Sequence, residues 1–218
     1  MQYLLSPYNY DLSDPGSIPN LFLQHLQLVG ITMLISLIIA IPLGLLAARY
    51  RWLYTPLITV ADILYTIPSL ALVTSLITIT GLSLATALIP LILYTQLVLI
   101  RNIVAGIDNV DPLMVEVGRA MGMNQFQMFM RVRLPLALPT IVAGIRIATV
   151  TTIGIASLAS LVGEGGLGDL IFKNIASFDL NAVVAGAILL AALAIVVDLL
   201  LLSVQVALNR GRNTLAVS

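Results

Sequence analysis

The sequence predicts an all-α membrane protein with about five transmembrane helices. Of its 218 residues, 60% are hydrophobic and only 9% are charged. An average soluble domain has roughly 45–50% apolar and about 25% charged residues, so a soluble fold of this size would have too few charges to cover its surface. The chain also contains several long apolar runs, and a membrane-spanning helix needs about 20 such residues.

The five predicted spans follow from the positions of these runs. One lies at about Leu21–Ala48, two lie between about Leu53 and Ile100, and the others lie at about Thr140–Val162 and Asn181–Leu208. The charge-free stretch Ile63–Ile100 is slightly short for two spans, so the first of the two is expected to begin near Leu53 and to include Asp62. The turn between them is predicted at Gly81–Ser83. The pattern does not decide between five and six spans.

The basic residues predict the orientation of the chain. With the N-terminus outside, eight arginines lie on the cytoplasmic side, as the positive-inside rule requires: Arg49, Arg51, Arg101, Arg119, Arg131, Arg133, Arg210 and Arg212. The opposite side carries Asp11, Asp14, Glu164, Asp169 and Asp179, with Lys173 as its one cation. No Lys or Arg precedes the first run, so that run is not expected to be a cleavable signal peptide. The C-terminus is predicted to lie in the cytoplasm.

The predicted organisation is one transmembrane domain, 21–208, between an extracytoplasmic segment, 1–20, and a cytoplasmic tail, 209–218. Its large cytoplasmic loop, about 106–139, is expected to form two short helices. Asp111 is a predicted N-cap followed by Pro112, and Gly122 is expected to close that helix in a left-handed conformation. Asn124 is a second predicted N-cap, with Gln127 in a capping box.

This loop is far more apolar than a cytoplasmic position requires, and Pro135 and Pro139 are expected to end its second helix. Its apolar residues are Val115, Val117, Met121, Met123, Phe126, Met128, Phe129, Met130 and Val132. Such a segment is expected to be covered by something. Either it folds back on the membrane surface or on its own bundle, or it inserts into a groove of a soluble partner.

The same loop carries a motif. Glu116-Val117-Gly118, then Gly122, and finally Leu134-Pro135 resemble the EAA motif of ABC importer permeases, although Val117 and Gly118 replace two alanines and Val132-Arg133 precedes Leu134. Gly118 is expected to loosen the helix by roughly 1 kcal/mol relative to Ala. The resemblance extends from the first span to the last, and the order of the five spans looks like the core of methionine-importer permeases. It implies a coupling helix that docks into an ATP-binding subunit. The implied docking residues are Glu116, Val117, Gly118, Arg119, Ala120, Met121, Gly122, Phe126, Leu134 and Pro135.

Two further stretches, Tyr65–Leu72 and Leu161–Gly168, make the chain look most like osmoprotectant permeases, which carry glycine betaine, choline or carnitine. That resemblance implies a non-enzymatic subunit of the bacterial inner membrane. Its implied partners are two ATP-binding subunits, a second permease, identical or related, and an external solute-binding protein. Alternatives are a permease for methionine or another amino acid, a secondary transporter or channel, and a membrane scaffold with no path.

Other functions are disfavoured by what the sequence lacks. Gly163–Gly168 matches the G-x-G-x-x-G pattern but follows a predicted membrane helix, whereas dinucleotide binding needs a strand before the motif. The one lysine, Lys173, is not in a Gly-Lys-Ser/Thr motif, so ATP is expected on a partner rather than on this chain. With one histidine, no cysteine and a formal net charge of zero, neither a metal cluster nor nucleic-acid binding is expected.

Three charged residues fall within predicted spans: Asp62, Arg146 and Asp198. An unpaired charge there costs at least about 2.5 kcal/mol. We therefore expect Arg146 either to be neutralised by Asp62 or Asp198 or to extend to the cytoplasmic surface. Proton coupling through these carboxylates is a lesser alternative.

The predicted path lies around Pro42 and Pro68, which interrupt hydrogen bonding within spans. Tyr65 and Tyr94 either offer an aromatic face to a quaternary ammonium or are structural. Residues Gly163–Gly168 form what we call the glycine-rich turn. It is expected to form a gate, to receive a binding protein, or to be a simple connection. The candidate path and gate residues are Tyr65, Thr66, Pro68, Ser69, Tyr94, Gly163, Glu164, Gly165, Gly166 and Gly168.

Overall fold

The computed structural model describes residues 2 to 215 and the side chains of residues 3 to 209, and this part of the chain is helical with no β-strand. The α-helices are α1 (Gln2–Leu5), α2 (Ile18–Arg49), α3 (Arg51–Thr66), α4 (Ser69–Thr80), α5 (Leu84–Asp108), α6 (Pro112–Ala120), α7 (Gln125–Met128), α8 (Leu134–Ala156), α9 (Gly168–Ala176) and α10 (Leu180–Leu215). Pro7–Tyr10 and Ser157–Val162 are 3₁₀-helices, and Phe129–Arg133 is a π-helix.

The number of membrane spans agrees with the prediction. Among the described residues, four helical segments are long and apolar enough to cross a membrane, and a fifth span results if α3 and α4 act as one. The four segments are Ile18–Arg49, Leu84–Asp108, Gln125–Val162 and Leu180–Asn209. The predicted all-α membrane fold is therefore confirmed, while α10 continues to Leu215, into the predicted tail.

The second predicted span is broken. Helices α3 and α4 meet at 91°, and the break falls at Ile67 and Pro68. Proline has no N–H and disfavours a helical conformation in the residue before it, so α3 ends at Thr66. The predicted turn after α4 is confirmed: Gly81 has a φ of +70°, and the Ser83 hydroxyl accepts a hydrogen bond from the backbone N–H of Thr86.

Helix α5 lies at the centre of the bundle and packs against α2, α3, α4 and α8. Small residues allow the close crossings. A Cβ on Gly44 of α2 would lie 2.7 Å from Cγ2 of Ile103, and one on Gly144 of α8 would lie 2.3 Å from Cβ of Asn102. Small residues at helix crossings are typical of membrane bundles, in which van der Waals packing replaces much of the hydrophobic driving force.

Charged residues distinguish the two ends of the bundle. At the end that we call the basic end, α2 finishes at Arg49, and Arg51 of α3 donates a hydrogen bond of 2.7 Å to Asp108 at the end of α5. Arg101 differs from its predicted loop position, because it lies within α5. The side chains of Arg210 and Arg212, which contributed to the predicted orientation, lie outside the described ones.

The prediction that Pro135 and Pro139 end the second loop helix is wrong. Helix α7 continues through the π-helix into α8, with Pro135 in the first turn of α8 and Pro139 inside it. In an α-helix, the Pro135 ring would clash with the carbonyl of Arg131. Arg131 lies in the π-helix, where the wider turn relieves this clash.

Candidate functional site

Local capping signals shape the loop between α5 and α8. The Asp111 carboxylate accepts a hydrogen bond of 2.8 Å from the N–H of Leu113, and Pro112 occupies the first turn of α6. Gly122 has a φ of +75°, and its N–H donates to the carbonyl of Arg119. The predicted start and end of this helix are therefore confirmed.

The second predicted cap is also present. The Asn124 side chain accepts a 2.9 Å hydrogen bond from the N–H of Gln127, and the Gln127 side chain accepts a 3.0 Å bond from the N–H of Asn124. This reciprocal capping box satisfies two backbone donors that the helix start leaves unpaired. It fixes the point at which the chain turns from α6 into α7.

Gly118 has a role opposite to the one expected from its helix propensity. A Cβ at this position would lie 2.6 Å from the Cε atom of Met128, a buried residue of α7. Val110, Val115 and Met128 form a small buried cluster. The missing side chain of Gly118 lets the two loop helices pack closely, so part of the apolar character of the loop is used within the loop itself.

Several other apolar side chains of the loop are exposed. Met121 and Phe126 are 71% and 68% exposed. We define the apolar loop face as Leu113, Met114, Val117, Met121, Phe126 and Met130, all of which are exposed. Glu116, Arg119 and Ala120 are exposed beside it. Next to this face is a cavity of about 460 Å³, lined by Arg49, Arg119, Met123, Gln125, Phe126, Met128, Phe129 and Arg133.

The glycine-rich turn lies at the opposite end of the bundle, where it contacts α2. The Gln24 side chain accepts a 3.0 Å hydrogen bond from the N–H of Gly166. His25 is fully buried against the same glycine, and its Nε2 donates a 3.0 Å bond to the carbonyl of Ile153. Sequence reasoning missed Gln24 and His25, although two adjacent polar residues in an apolar run were a usable signal.

The turn is tightly packed at its far end. A Cβ on Gly168 would lie 1.9 Å from the carbonyl oxygen of Ser157. Next to the turn is a cavity of about 490 Å³, lined by Pro15, Gly16, Gln24, Gln27, Leu28, Ile31, Leu84, Gly163, Glu164, Gly165, Asp169 and Lys173. Asp169 pairs with Lys173 through one carboxylate oxygen. Because a 3₁₀-helix precedes Gly163, the strand that a dinucleotide site requires is not there.

The intramembrane charges are paired, but not all as expected. Arg146 of α8 donates a 2.5 Å hydrogen bond to Asp198 of α10 and a 3.2 Å bond to Gln205. Of the two partners that the sequence left open, Arg146 therefore pairs with Asp198 and not with Asp62. Asp62 of α3 instead accepts two hydrogen bonds of 2.7 Å from Arg101 of α5. Because Arg101 was assigned to the loop, sequence reasoning did not consider it as a partner.

Five of the candidate path and gate residues meet at the α3–α4 break. The rings of Tyr65 and Tyr94 pack edge to face, with centroids 5.6 Å apart and planes at 88°. The Tyr94 hydroxyl donates a 2.6 Å hydrogen bond to the carbonyl of Ile67, which the break leaves without a helical partner. Tyr94 is buried, whereas Tyr65 is 42% exposed. Thr66, Pro68 and Ser69 lie at the same break.

A family model described as binding-protein-dependent transport system inner membrane component matches residues 40–213. The chain belongs to this family. It is a permease component of an ABC importer of the inner membrane, and such components are not enzymes. The alternatives of a secondary transporter, a channel or a scaffold are therefore wrong. As a family member, the permease works with ATPase, solute-binding and second permease components.

Curated relatives match the permease over nearly its whole length. It is 38% identical over 206 residues to the osmoprotectant import permease protein OsmW of Salmonella typhimurium, covering 92% of this chain and 96% of that one. It is 41% identical over 193 residues to the carnitine transport permease protein OpuCD of Listeria monocytogenes, covering 88% and 86%. It is 38% identical over 189 residues to the choline transport system permease protein OpuBD of Bacillus subtilis, covering 86% and 84%.

The fold of the permease is also found among solved structures. A chain of the inward-facing MetNI methionine ABC transporter superposes with a TM-score of 0.72 at 22% sequence identity, covering 85% of this chain and 93% of that one. At this identity the likeness concerns the fold. It agrees with the predicted resemblance to the core of methionine-importer permeases.

Proposed function

We propose that the permease forms the translocation path for a quaternary-ammonium osmoprotectant such as glycine betaine, carnitine or choline. The observation that carries this proposal is the similarity, over most of both chains, to relatives named for osmoprotectant, carnitine and choline transport. The break between α3 and α4 supports it, because it places the exposed ring of Tyr65 beside Thr66, Pro68 and Ser69. Aromatic faces attract quaternary ammonium groups.

In the proposed orientation, the N-terminus is outside and the basic end faces the cytoplasm. The support is the distribution of arginine, since loops rich in Arg and Lys stay on the cytoplasmic side. The glycine-rich turn and its 490 Å³ cavity then face outward. We propose that an external solute-binding protein delivers its solute at this outward end, where Glu164 and Lys173 line the cavity.

The apolar loop face is proposed to dock into a groove of an ATP-binding subunit. Residues such as Met121 and Phe126 are exposed although they gain free energy by leaving water, which is the pattern of a helix that is bound in a groove. Arg49, Arg119 and Arg133 line the adjoining cavity, so a complementary partner surface carries acidic side chains. The proposed docking residues are those that resemble the EAA motif, from Glu116 to Pro135, with Phe126.

Five spans are too few to enclose an alternating-access path, so we propose that two permease subunits, identical or related, form it with two ATP-binding subunits. ATP would be bound by those partners. Closure of the ATPase pair would push on α6 and α7. Because α7 continues through the π-helix into α8, this push would move a membrane span directly rather than through a flexible connection.

The substrate proposal is tested by ATP hydrolysis of the complete co-expressed complex in lipid vesicles. Glycine betaine, carnitine, choline and methionine are offered one at a time, each with the cognate binding protein. We expect the quaternary amines to stimulate hydrolysis and methionine to have no effect. Stimulation by methionine alone would replace the substrate and keep the fold. A complex without ATPase activity would contradict the proposed coupling.

The docking proposal is tested by introducing charge on the apolar loop face. Phe126→Asp together with Met121→Asp removes two exposed anchors, and neither side chain is part of the buried core. We expect the ATPase to be lost from the purified complex while the permease remains in the membrane. Phe178→Asp is the matched control, because Phe178 is also exposed but lies between α9 and α10. Equal ATPase retention in both variants would overturn the docking proposal.

A further inference from the structure

One ion pair within the apolar spans is unusually open. Nη2 of Arg101 donates to both carboxylate oxygens of Asp62, at 2.7 Å each, and the two side chains remain 48% and 44% exposed. The Arg146–Asp198 pair is more buried and has Gln205 as a third member. The open pair therefore retains hydrogen-bond donors and acceptor positions that no other described residue uses.

This pair indicates which face of the bundle meets water or another protein. A charged side chain that faces hydrocarbon costs at least about 2.5 kcal/mol, so intramembrane charges face the bundle interior or a water-filled cavity. Asp62 lies in α3 and Arg101 in α5, between the basic end and the α3–α4 break. The side that carries them is therefore suited to line a path between two permease subunits.

The exposed ring of Tyr65 lies on the same side of α3. Tyr65 follows Asp62 by three residues, which is about one helical turn and a rise of about 4.5 Å. Residues three apart lie on the same helix face, so Tyr65 and Asp62 share a face of α3. On α5, Tyr94 precedes Arg101 by seven residues, two turns on the same face, and it packs edge to face against Tyr65. Two layers thus join α3 to α5: an ion pair and, above it, a tyrosine pair with one open ring.

We infer that Asp62, Arg101 and Tyr65 form a binding site for a zwitterionic quaternary amine within the path. This inference rests on the proposed function and specifies the chemistry of its site. The ligand carboxylate binds the free guanidinium donors of Arg101, as planar guanidinium groups favour. The ligand ammonium lies against the Tyr65 ring and the Asp62 carboxylate.

Asp62 and Arg101 neutralise each other, and this suits transport. Without ligand, Asp62 and Arg101 satisfy each other, so no unpaired charge is left in the span. A zwitterion must compete with that pair, so it is held weakly and released readily. A path conducts its solute when binding is favourable enough for entry and weak enough for exit.

The site distinguishes zwitterions from simple cations. Glycine betaine and carnitine have a carboxylate for Arg101, whereas choline has only a hydroxyl and depends on Tyr65 and Asp62. Replacing Arg101 by Gln is therefore expected to reduce the uptake of glycine betaine and carnitine about tenfold, the effect of losing a charge-assisted hydrogen bond. Choline uptake is not expected to fall, because Arg101 holds no group of choline and its removal leaves the Asp62 carboxylate free to bind the choline ammonium.

The experiment measures initial rates of ATP-driven uptake of the three radiolabelled solutes into vesicles containing the complete complex. The matched control is Arg51→Gln, which removes the other α3–α5 ion pair, the 2.7 Å contact with Asp108 at the helix ends. The control is expected to change the uptake of all three solutes by the same factor. Thermal unfolding of both variant complexes tests whether each one folds.

The possible outcomes distinguish a failure of this inference from a failure of the proposed function. If Arg101→Gln lowers the uptake of all three solutes equally, or of none, the zwitterion site is overturned and the pair is structural. If Arg101→Gln does not assemble, Arg101→Lys keeps the charge but not the planar donors, and the same loss confined to the zwitterions is expected. If the unaltered complex takes up none of the three solutes, the proposed function itself has failed.

Discussion

Among the glycines whose surroundings the structure describes and whose φ is not left-handed, Gly168 should be the one whose replacement by Ala destabilises the permease most. The added Cβ would lie 1.9 Å from the carbonyl oxygen of Ser157 and 2.7 Å from its carbonyl carbon. Both atoms belong to the backbone, so no side-chain rotation relieves the clash. Gly168 begins α9, and the start of α9 would have to move away from the 3₁₀-helix Ser157–Val162.

The size of the effect follows from the geometry. Ordinary van der Waals contact begins near 3.4 Å, so the backbone must separate by more than about 1 Å. Overpacking in a close-packed interior costs about 1–3 kcal/mol. For a chain of about 150–250 residues, each kcal/mol corresponds to a shift in Tm of about 2–4 °C. We expect Gly168→Ala to lower Tm by several degrees.

Two other glycines distinguish a steric clash from backbone strain as the cause of destabilisation. Gly154 has no heavy atom within 4 Å of an added Cβ and lies inside α8, so Gly154→Ala should be neutral or stabilising by up to about 1 kcal/mol. Gly163 also has open space but a φ of +84°, so Gly163→Ala adds only backbone strain of about 1–2 kcal/mol. Gly168 has no left-handed φ, so its cost comes from the clash with Ser157 alone.

The assay is thermal unfolding of the purified permease in one detergent, followed by tryptophan fluorescence and by loss of the monodisperse chromatographic peak. The three variants are measured beside the unaltered chain. The expected order of Tm is Gly154→Ala highest, then the unaltered chain, with Gly163→Ala and Gly168→Ala below it. A Tm for Gly168→Ala equal to that of Gly154→Ala would refute the close approach of α9 to Ser157.

Two more predictions concern contacts elsewhere in the bundle. Asn124→Ala removes the cap of α7 and should lower stability by about 0.5–2 kcal/mol, measured as a drop in Tm, with the exposed Gln125→Ala as a control that should change little. Asp198→Asn should lower Tm because it leaves Arg146 without its carboxylate partner. The double variant Asp198→Leu with Arg146→Leu should recover much of that loss, because no unpaired charge remains. A double variant with a lower Tm than Asp198→Asn would contradict the pairing argument.

The elements that could be predicted from the sequence are those that local chemistry determines. Apolar length identified the spans, and the caps at Asp111 and Asn124 formed as expected, because an N-cap needs only its own side chain and a nearby N–H. The left-handed Gly122 and the turn at Gly81 follow from the same local reasoning. Each of these signals lies within a few residues of the structure that it predicts.

The features that could not be predicted depend on residues far apart in the chain. Asp62 and Arg101 are 39 residues apart, and their pairing depends on how α3 and α5 are aligned. Helix propensity predicts that Gly118 destabilises α6, but the close approach of Met128 requires a residue without a side chain at this position. Pro135 indicated a helix end, and the π-helix before it removed the reason for ending. The gap in each case is tertiary geometry, which overrides local propensity.

One helical segment connects the two candidate sites, and this constrains how coupling can work. Gln125–Val162 comprises 38 residues, on the order of 55–60 Å at 1.5 Å per α-helical residue. It begins beside the apolar loop face and ends at the glycine-rich turn, where the Ser157 carbonyl lies against Gly168. A push at the loop therefore reaches the turn along one helix, unless the helix yields at the π-helix Phe129–Arg133, whose hydrogen bonds are out of α-helical register. The π-helix lies next to the loop and far from Gly168. Bending there would change the orientation of α7 relative to α8, and α8 itself would still move as a unit.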